Sequence, residues 1–221
     1  MQTLSDRAGC AAGRTTLVVM LPGAYSPPDE FVQEGFVSSL RARNLAVDVL
    51  MVDSHLGYVA DGSVLRRLHE DVVLPARAAG YRSLWMMGIS LGGFVALNYA
   101  ADHGADLDGV LAIAPYPGTL ALQRQIARAG GPGAWRQTTP APAPGGHLEP
   151  AMWWWLASGA ELRRPPLYLG YGVDDRFADG LQLMATTLPA GHASTVPGGH
   201  DWAPWRAVWN GWLERRLLPT C

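Results

Sequence analysis

Along this 221-residue chain, apolar runs of about five to eight residues alternate with amphipathic stretches of helical length. That alternation marks strand–helix crossovers, and hence a mostly parallel sheet, because a parallel neighbour is reached only by crossing over a sheet face. The runs predict strands at Thr16–Leu21, Val47–Val52, Leu84–Gly88, Gly109–Ala114, Leu167–Tyr171 and Ala193–Val196. Helices are expected near Asp29–Arg43, Ser63–Ala79, Leu91–His103, Ala178–Thr187 and Trp202–Leu217, each punctuated by polar residues or glycine. Asp29, after Pro27-Pro28, is placed to cap the first of them. Trp202, Trp205, Trp209 and Trp212 recur at helical spacing and read as core. Residues 1–14 carry no such pattern, so a frayed start is expected. The fold class is α/β, a single three-layer domain over residues 1–221 with about six strands.

One stretch breaks the alternation. Residues 117–166 hold a helical piece at Leu120–Ala129, a Gly/Pro/Ala-rich tract at Gly130–Gly146 and the cluster Met152-Trp-Trp-Trp-Leu156. Low apolar content in the tract predicts weak ordering, and the segment reads as a small lid or flap. Consecutive positions on a helix diverge by about 100 degrees, so Trp153, Trp154 and Trp155 cannot share one buried face. Trp154 and Trp155 are therefore candidates for contact with substrate.

A hydrophobic content of 48% suits one full core, and a net charge of −2 leaves no basic stripe for nucleic acid. The apolar runs fall short of a membrane span. Cys10 and Cys221 lie at opposite chain ends, so no disulfide framework is implied and a reducing cytoplasm is the default, with a bridge between the ends left open. Oligomeric state is not legible.

The chemistry concentrates at residues 84–103, where an apolar strand runs into Gly88-Ile-Ser-Leu-Gly92 and then a helix. A serine hydroxyl is a poor nucleophile unless it is held on an exposed, strained turn with a base beside it, and Gly88, Gly92 and Gly93 free the space such a turn needs. Ser90 is the candidate nucleophile. Downstream lie an acid and a base in the order this motif demands. Asp175 follows Gly172 in a G-x-x-D turn after a strand, with Asp174 as its rival, and His200 closes a Pro197-Gly-Gly loop. Asp201, next to the histidine in sequence, is a poor candidate. His55, His69, His103, His147 and His192 lack such a setting, although His147 in the flap could touch substrate. No metal site is expected, since His69-Glu70-Asp71 has consecutive rather than face-sharing spacing, and no cofactor motif is found.

On these residues the sequence resembles the α/β-hydrolase family from about Thr15 to Leu217. Leu17-Val-Val-Met-Leu-Pro-Gly-Ala-Tyr25 is similar to its early strand and oxyanion turn, and Gly88 to Gly92 to its nucleophile elbow. Tyr168 to Asp175 matches its acid turn, and Pro197-Gly-Gly-His200 its histidine loop. The tail from His200 to Arg206 is similar to esterase-D-like and mycolyltransferase-like members. The resemblance implies a three-layer α/β-hydrolase sandwich and a serine hydrolase acting on small carboxylic esters or thioesters through an acyl-enzyme on Ser90. It implies oxyanion donors at the N–H groups of Leu91 and Ala24, with Tyr25 adding its hydroxyl near the substrate. The alternatives are an acyltransferase using the same residues and a catalytically silent binding protein on the same scaffold.

Overall fold

In the computed structural model, residues 1–10, 15–143, 145–159 and 165–221 are described. Residues 11–14 of the expected frayed start, and Pro144 and residues 160–164 of the expected lid, lie outside them.

The strands are β1 (Thr3–Asp6), β2 (Thr16–Leu21), β3 (Asp48–Val52), β4 (Ser83–Ile89), β5 (Gly109–Ile113), β6 (Leu167–Gly172) and β7 (Ala193–Val196). They form one sheet in the order β1-β3-β2-β4-β5-β6-β7. Among the described strand pairs of this sheet, only β1–β3 is antiparallel. Every residue of β2 and β5 is buried, as central parallel strands covered on both faces must be.

The helices are α1 (Glu30–Gln33), α2 (Phe36–Ala42), α3 (Leu56–Ala60), α4 (Val64–Leu68), α5 (Leu74–Ala78), α6 (Leu91–His103), α7 (Leu120–Arg128), α8 (Pro132–Thr138), α9 (Leu148–Leu156), α10 (Ala178–Ala185) and α11 (Trp202–Glu214). The expected first helix is split in two because Gly35 adopts φ 79°. Asp29 does stand at its N-cap, but its carboxylate makes no cap bond and instead accepts from Gln33 Nε2 at 2.7 Å. The tryptophans of α11 behave as core, with Trp205, Trp209 and Trp212 buried and Trp202 partly so.

The chain ends depart from one expectation and take up a possibility the sequence left open. The frayed start is in part a strand: β1 extends the sheet to seven strands, held by the N-terminal ammonium on Asp71 (2.6 Å), by an Asp6–Arg41 ion pair and by Ala8 N–H on Asp48 Oδ1 (2.7 Å). Its side chains face mostly outward, so it left no hydrophobic signature. Cys10 and Cys221 are joined by a disulfide, which removes the basis for expecting a reducing compartment. No helix among the described residues is long and apolar enough to cross a membrane.

The expected flap is a helical layer. Its tract contains α8, which the proline and glycine content had hidden, and α9 is anchored in the core by Met152, Trp153 and Leu156, each fully buried. Trp153 Nε1 donates to Pro117 O at 2.7 Å, so the one polar atom of a large buried ring is satisfied.

Candidate active site

β4 ends at Ile89 and α6 begins at Leu91, leaving Ser90 alone to reverse the chain, with φ 53° and ψ −114°. A non-glycine residue there is strained and must be held by its surroundings. Three backbone bonds hold it: Ser90 N–H donates to Ile113 O, and Ser90 O accepts from Phe94 N–H and Tyr116 N–H, each at 3.0 Å. The turn also demands bare neighbours. A Cβ on Gly88 would lie 2.2 Å from Gly92 O, and one on Gly92 would lie 2.0 Å from Leu21 O, distances real atoms do not reach. Both glycines are thus required by contact.

His200 Nε2 lies 3.0 Å from Ser90 Oγ, and His200 Nδ1 lies 2.8 Å from Asp175 Oδ2. The three side chains picked from the sequence therefore stand in one hydrogen-bonded line across 110 residues of chain. The Asp175 carboxylate is completely buried, and His200 is exposed by only 8%. Burying an unpaired carboxylate is costly, and here Oδ1 is satisfied by Phe177 N–H at 2.8 Å while Oδ2 faces the imidazole. The ring is held edge-on between Phe177 and Trp205, each 5.0 Å away between centroids. Asp174, the rival, is exposed, and Asp201 caps α11 by accepting from Ala203 N–H at 3.0 Å, while His200 Nδ1 pairs with Asp175.

Leu91 N–H opens α6, where the first turn has no intrahelical acceptor for it and the helix dipole favours negative charge. The Gly23-Ala24 turn is the neighbour across the gap: a Cβ on Gly23 would sit 3.9 Å from Ser90 Cβ. Tyr25 is 91% exposed, turned toward solvent.

A cleft of about 770 Å³ opens from Leu91 and is floored by Phe94, Tyr116 and Leu122, with Asp61, His147 and Glu149 on its polar side. Tyr116 donates to Glu149 Oε1 at 3.2 Å, and Thr119 N–H donates to Oε2 at 2.9 Å. Burial, and then the Glu149 charge, push the Tyr116 phenol above its ordinary pKa. Trp154 and Trp155 are not part of this cleft. They line an adjoining hollow of about 240 Å³ beside α9, which shares Gly146 and Leu148 with the cleft, and the Arg136 guanidinium covers the Trp154 ring at 3.8 Å. Sequence reasoning missed Phe177 and Trp205 beside the imidazole. The first had a signal, since an aspartate commonly accepts from the backbone two residues on, as Asp175 does from Phe177.

No protein-family profile matches the sequence, and no curated protein matches it. Solved structures do. Est1E from Butyrivibrio proteoclasticus superposes with a TM-score of 0.64 at 14% identity, over 96% of this chain and 93% of its own. A monoacylglycerol lipase from Paleococcus ferrophilus gives 0.59 at 13%, covering 96% and 98%. The S-formylglutathione hydrolase of Staphylococcus aureus gives 0.57 at 15%, covering 90% and 80%. With its mostly parallel sheet, flanking helices and strand-to-helix turn at Ser90, this chain has the α/β-hydrolase fold.

Proposed function

We propose that the protein is a serine hydrolase cleaving carboxylic esters or thioesters through an acyl-enzyme on Ser90. The observation that carries this reading is the unbroken line Ser90 Oγ, His200 Nε2, His200 Nδ1, Asp175 Oδ2, at 3.0 and 2.8 Å. His200 takes the hydroxyl proton as Ser90 Oγ attacks the carbonyl carbon, and Asp175 holds the tautomer and faces the imidazolium that forms. The oxyanion is received by Leu91 N–H and Ala24 N–H. The imidazolium then protonates the departing alkoxide or thiolate. Water, deprotonated by His200, releases the acid and restores Ser90.

The site's neighbours in fold are consistent with this chemistry, since their titles name an S-formylglutathione hydrolase, a ferulic acid esterase and a monoacylglycerol lipase. Acyl transfer to another acceptor has no observation of its own. The residues behind that alternative are occupied structurally: Asp201 caps α11, and Trp202 packs against Phe31 and Phe36. Hydrolysis of p-nitrophenyl acetate by wild type and Ser90→Ala tests the proposal. A loss on the order of 10⁴-fold supports it, and equal rates overturn it.

A further inference from the structure

Far from Ser90, at the opposite end of α6, three side chains with metal-ligating atoms converge. His69, His103 and Asp106 each offer one donor, and these donors all lie within 4.8 Å of one another. α6 has thirteen residues, so roughly 20 Å of helix separates this cluster from the nucleophile. We propose that His69, His103 and Asp106 form a binding site for a divalent transition ion of the zinc type.

The three ligands come from separate places in the fold. His69 begins a π-helical turn, His69–Val73, which joins α4 to α5. Such turns are rare and frequently mark functional positions, because the extra residue redirects one side chain. His103 is the last residue of α6, at the end of the helix where cations are favoured. Asp106 ends the 3₁₀ turn Gly104–Asp106 that follows.

The two imidazole rings stack with centroids 4.5 Å apart and planes 12° from parallel. His69 Nδ1 faces Asp106 Oδ2 at 3.4 Å and Tyr99 Oη at 3.0 Å, and Tyr99 donates to Asp106 Oδ2 at 3.1 Å. Asp102 Oδ2 lies 3.4 Å from His103 Nε2, where an outer carboxylate can accept a ring N–H and orient a ligating imidazole. The positive charge nearby is Arg77, whose guanidinium is spent on the carbonyls of Tyr81, Arg82 and Asp106 rather than on the carboxylate.

Two imidazoles and a carboxylate form the donor set that suits zinc, copper or nickel, whereas calcium and magnesium take oxygen ligands. His69, His103 and Asp106 have side chains 28, 31 and 34% exposed, so a hydrated ion can reach them and keep a water in the remaining position. Because the site joins the α4–α5 segment to the end of α6 and is remote from Ser90, the ion's role is structural. No ester chemistry passes through it.

The test is titration of untagged protein with zinc alone, followed by calorimetry and by thermal melting. Equimolar zinc binding and a rise in Tm are expected. His69→Gln and His103→Gln should each weaken binding by more than about 100-fold and abolish the zinc-dependent rise in Tm. Hydrolysis of p-nitrophenyl acetate should change little in either variant, which also separates failure here from failure of the Ser90 proposal. Should a variant unfold, the imidazole ¹⁵N shifts of the wild type on adding zinc decide the matter: His69 and His103 must move together. Absence of equimolar binding, zinc shifts confined to other histidines, unchanged affinity in both variants, or displacement of zinc by millimolar calcium would overturn the proposal.

Discussion

Asp175→Asn isolates what the buried carboxylate does. In the wild type Oδ1 accepts from Phe177 N–H and Oδ2 faces His200 Nδ1, both at 2.8 Å, inside a side chain with no solvent exposure. Asparagine has the same shape but one oxygen and one NH₂ group. If its oxygen stays on Phe177 N–H, the NH₂ faces His200 and forces Nδ1 to accept. The ring proton then moves to Nε2, which can no longer take the proton of Ser90. The flipped amide would restore the working tautomer but leave two donors facing each other at Phe177, costing about 1–3 kcal/mol for a buried unsatisfied group. That cost confines the useful orientation to between about 1 and 15% of molecules, and even these lack the charge that stabilises the imidazolium. The expected loss in kcat is about 10³–10⁴-fold, or about 4–5.5 kcal/mol of transition-state stabilisation. The assay is p-nitrophenyl acetate hydrolysis at pH 7.5, with Tm recorded alongside. A loss smaller than about tenfold at unchanged Tm would refute the reasoning, because the tautomer would then be set by something other than Asp175.

Replacing the tryptophans of α9 should separate packing from binding: Trp153→Ala should lower stability by about 3–5 kcal/mol in urea unfolding, as loss of a fully buried ring does. Trp155→Ala should leave the chain-length preference among p-nitrophenyl esters unaltered, whereas Phe94→Ala, on the cleft floor, should raise KM for bulky esters. Cys10→Ser or Cys221→Ser should cost about 2–4 kcal/mol in the same unfolding experiment, through the freed unfolded chain, and a reducing agent should reproduce the effect in wild type only. Burial raises the Tyr171 phenol above its ordinary pKa, so its contribution to stability is full below about pH 10 and is lost as pH rises from there toward the folded-state value. Tm measured from pH 8 to 11 should fall at the alkaline end, and less steeply in Tyr171→Phe.

The central sheet was legible because a strand covered on both faces has to be apolar throughout, and β2 matches its expected bounds residue for residue. α6 was legible for the same reason, being buried nearly all round behind a glycine-flanked serine. β1 was not, since an outward-facing edge strand needs no apolar pattern and is held by Asp71, Arg41 and Asp48 from distant segments. α8 was hidden by composition, although Pro132 at its first turn is a normal helix start. Ser90, Asp175 and His200 could be chosen from local turn chemistry alone. The cleft walls could not, because Leu91 on the β4–β5 crossover meets Tyr116 and Glu149 on the β5–β6 crossover only after both have folded. Helical geometry rightly argued that the three tryptophans diverge, but not which way: the hollow beside α9, rather than the cleft, receives Trp154 and Trp155.

The account rests on Ser90 being a nucleophile activated by His200, and reaction with a fluorophosphonate measures that most directly. Intact-mass and peptide analysis after brief exposure should find one phosphonyl group on Ser90 in wild type. None should form in Ser90→Ala, and labelling should be slowed on the order of 10³-fold or more in His200→Ala. Folded wild-type protein that stays unlabelled, or carries the group on another residue, would contradict it.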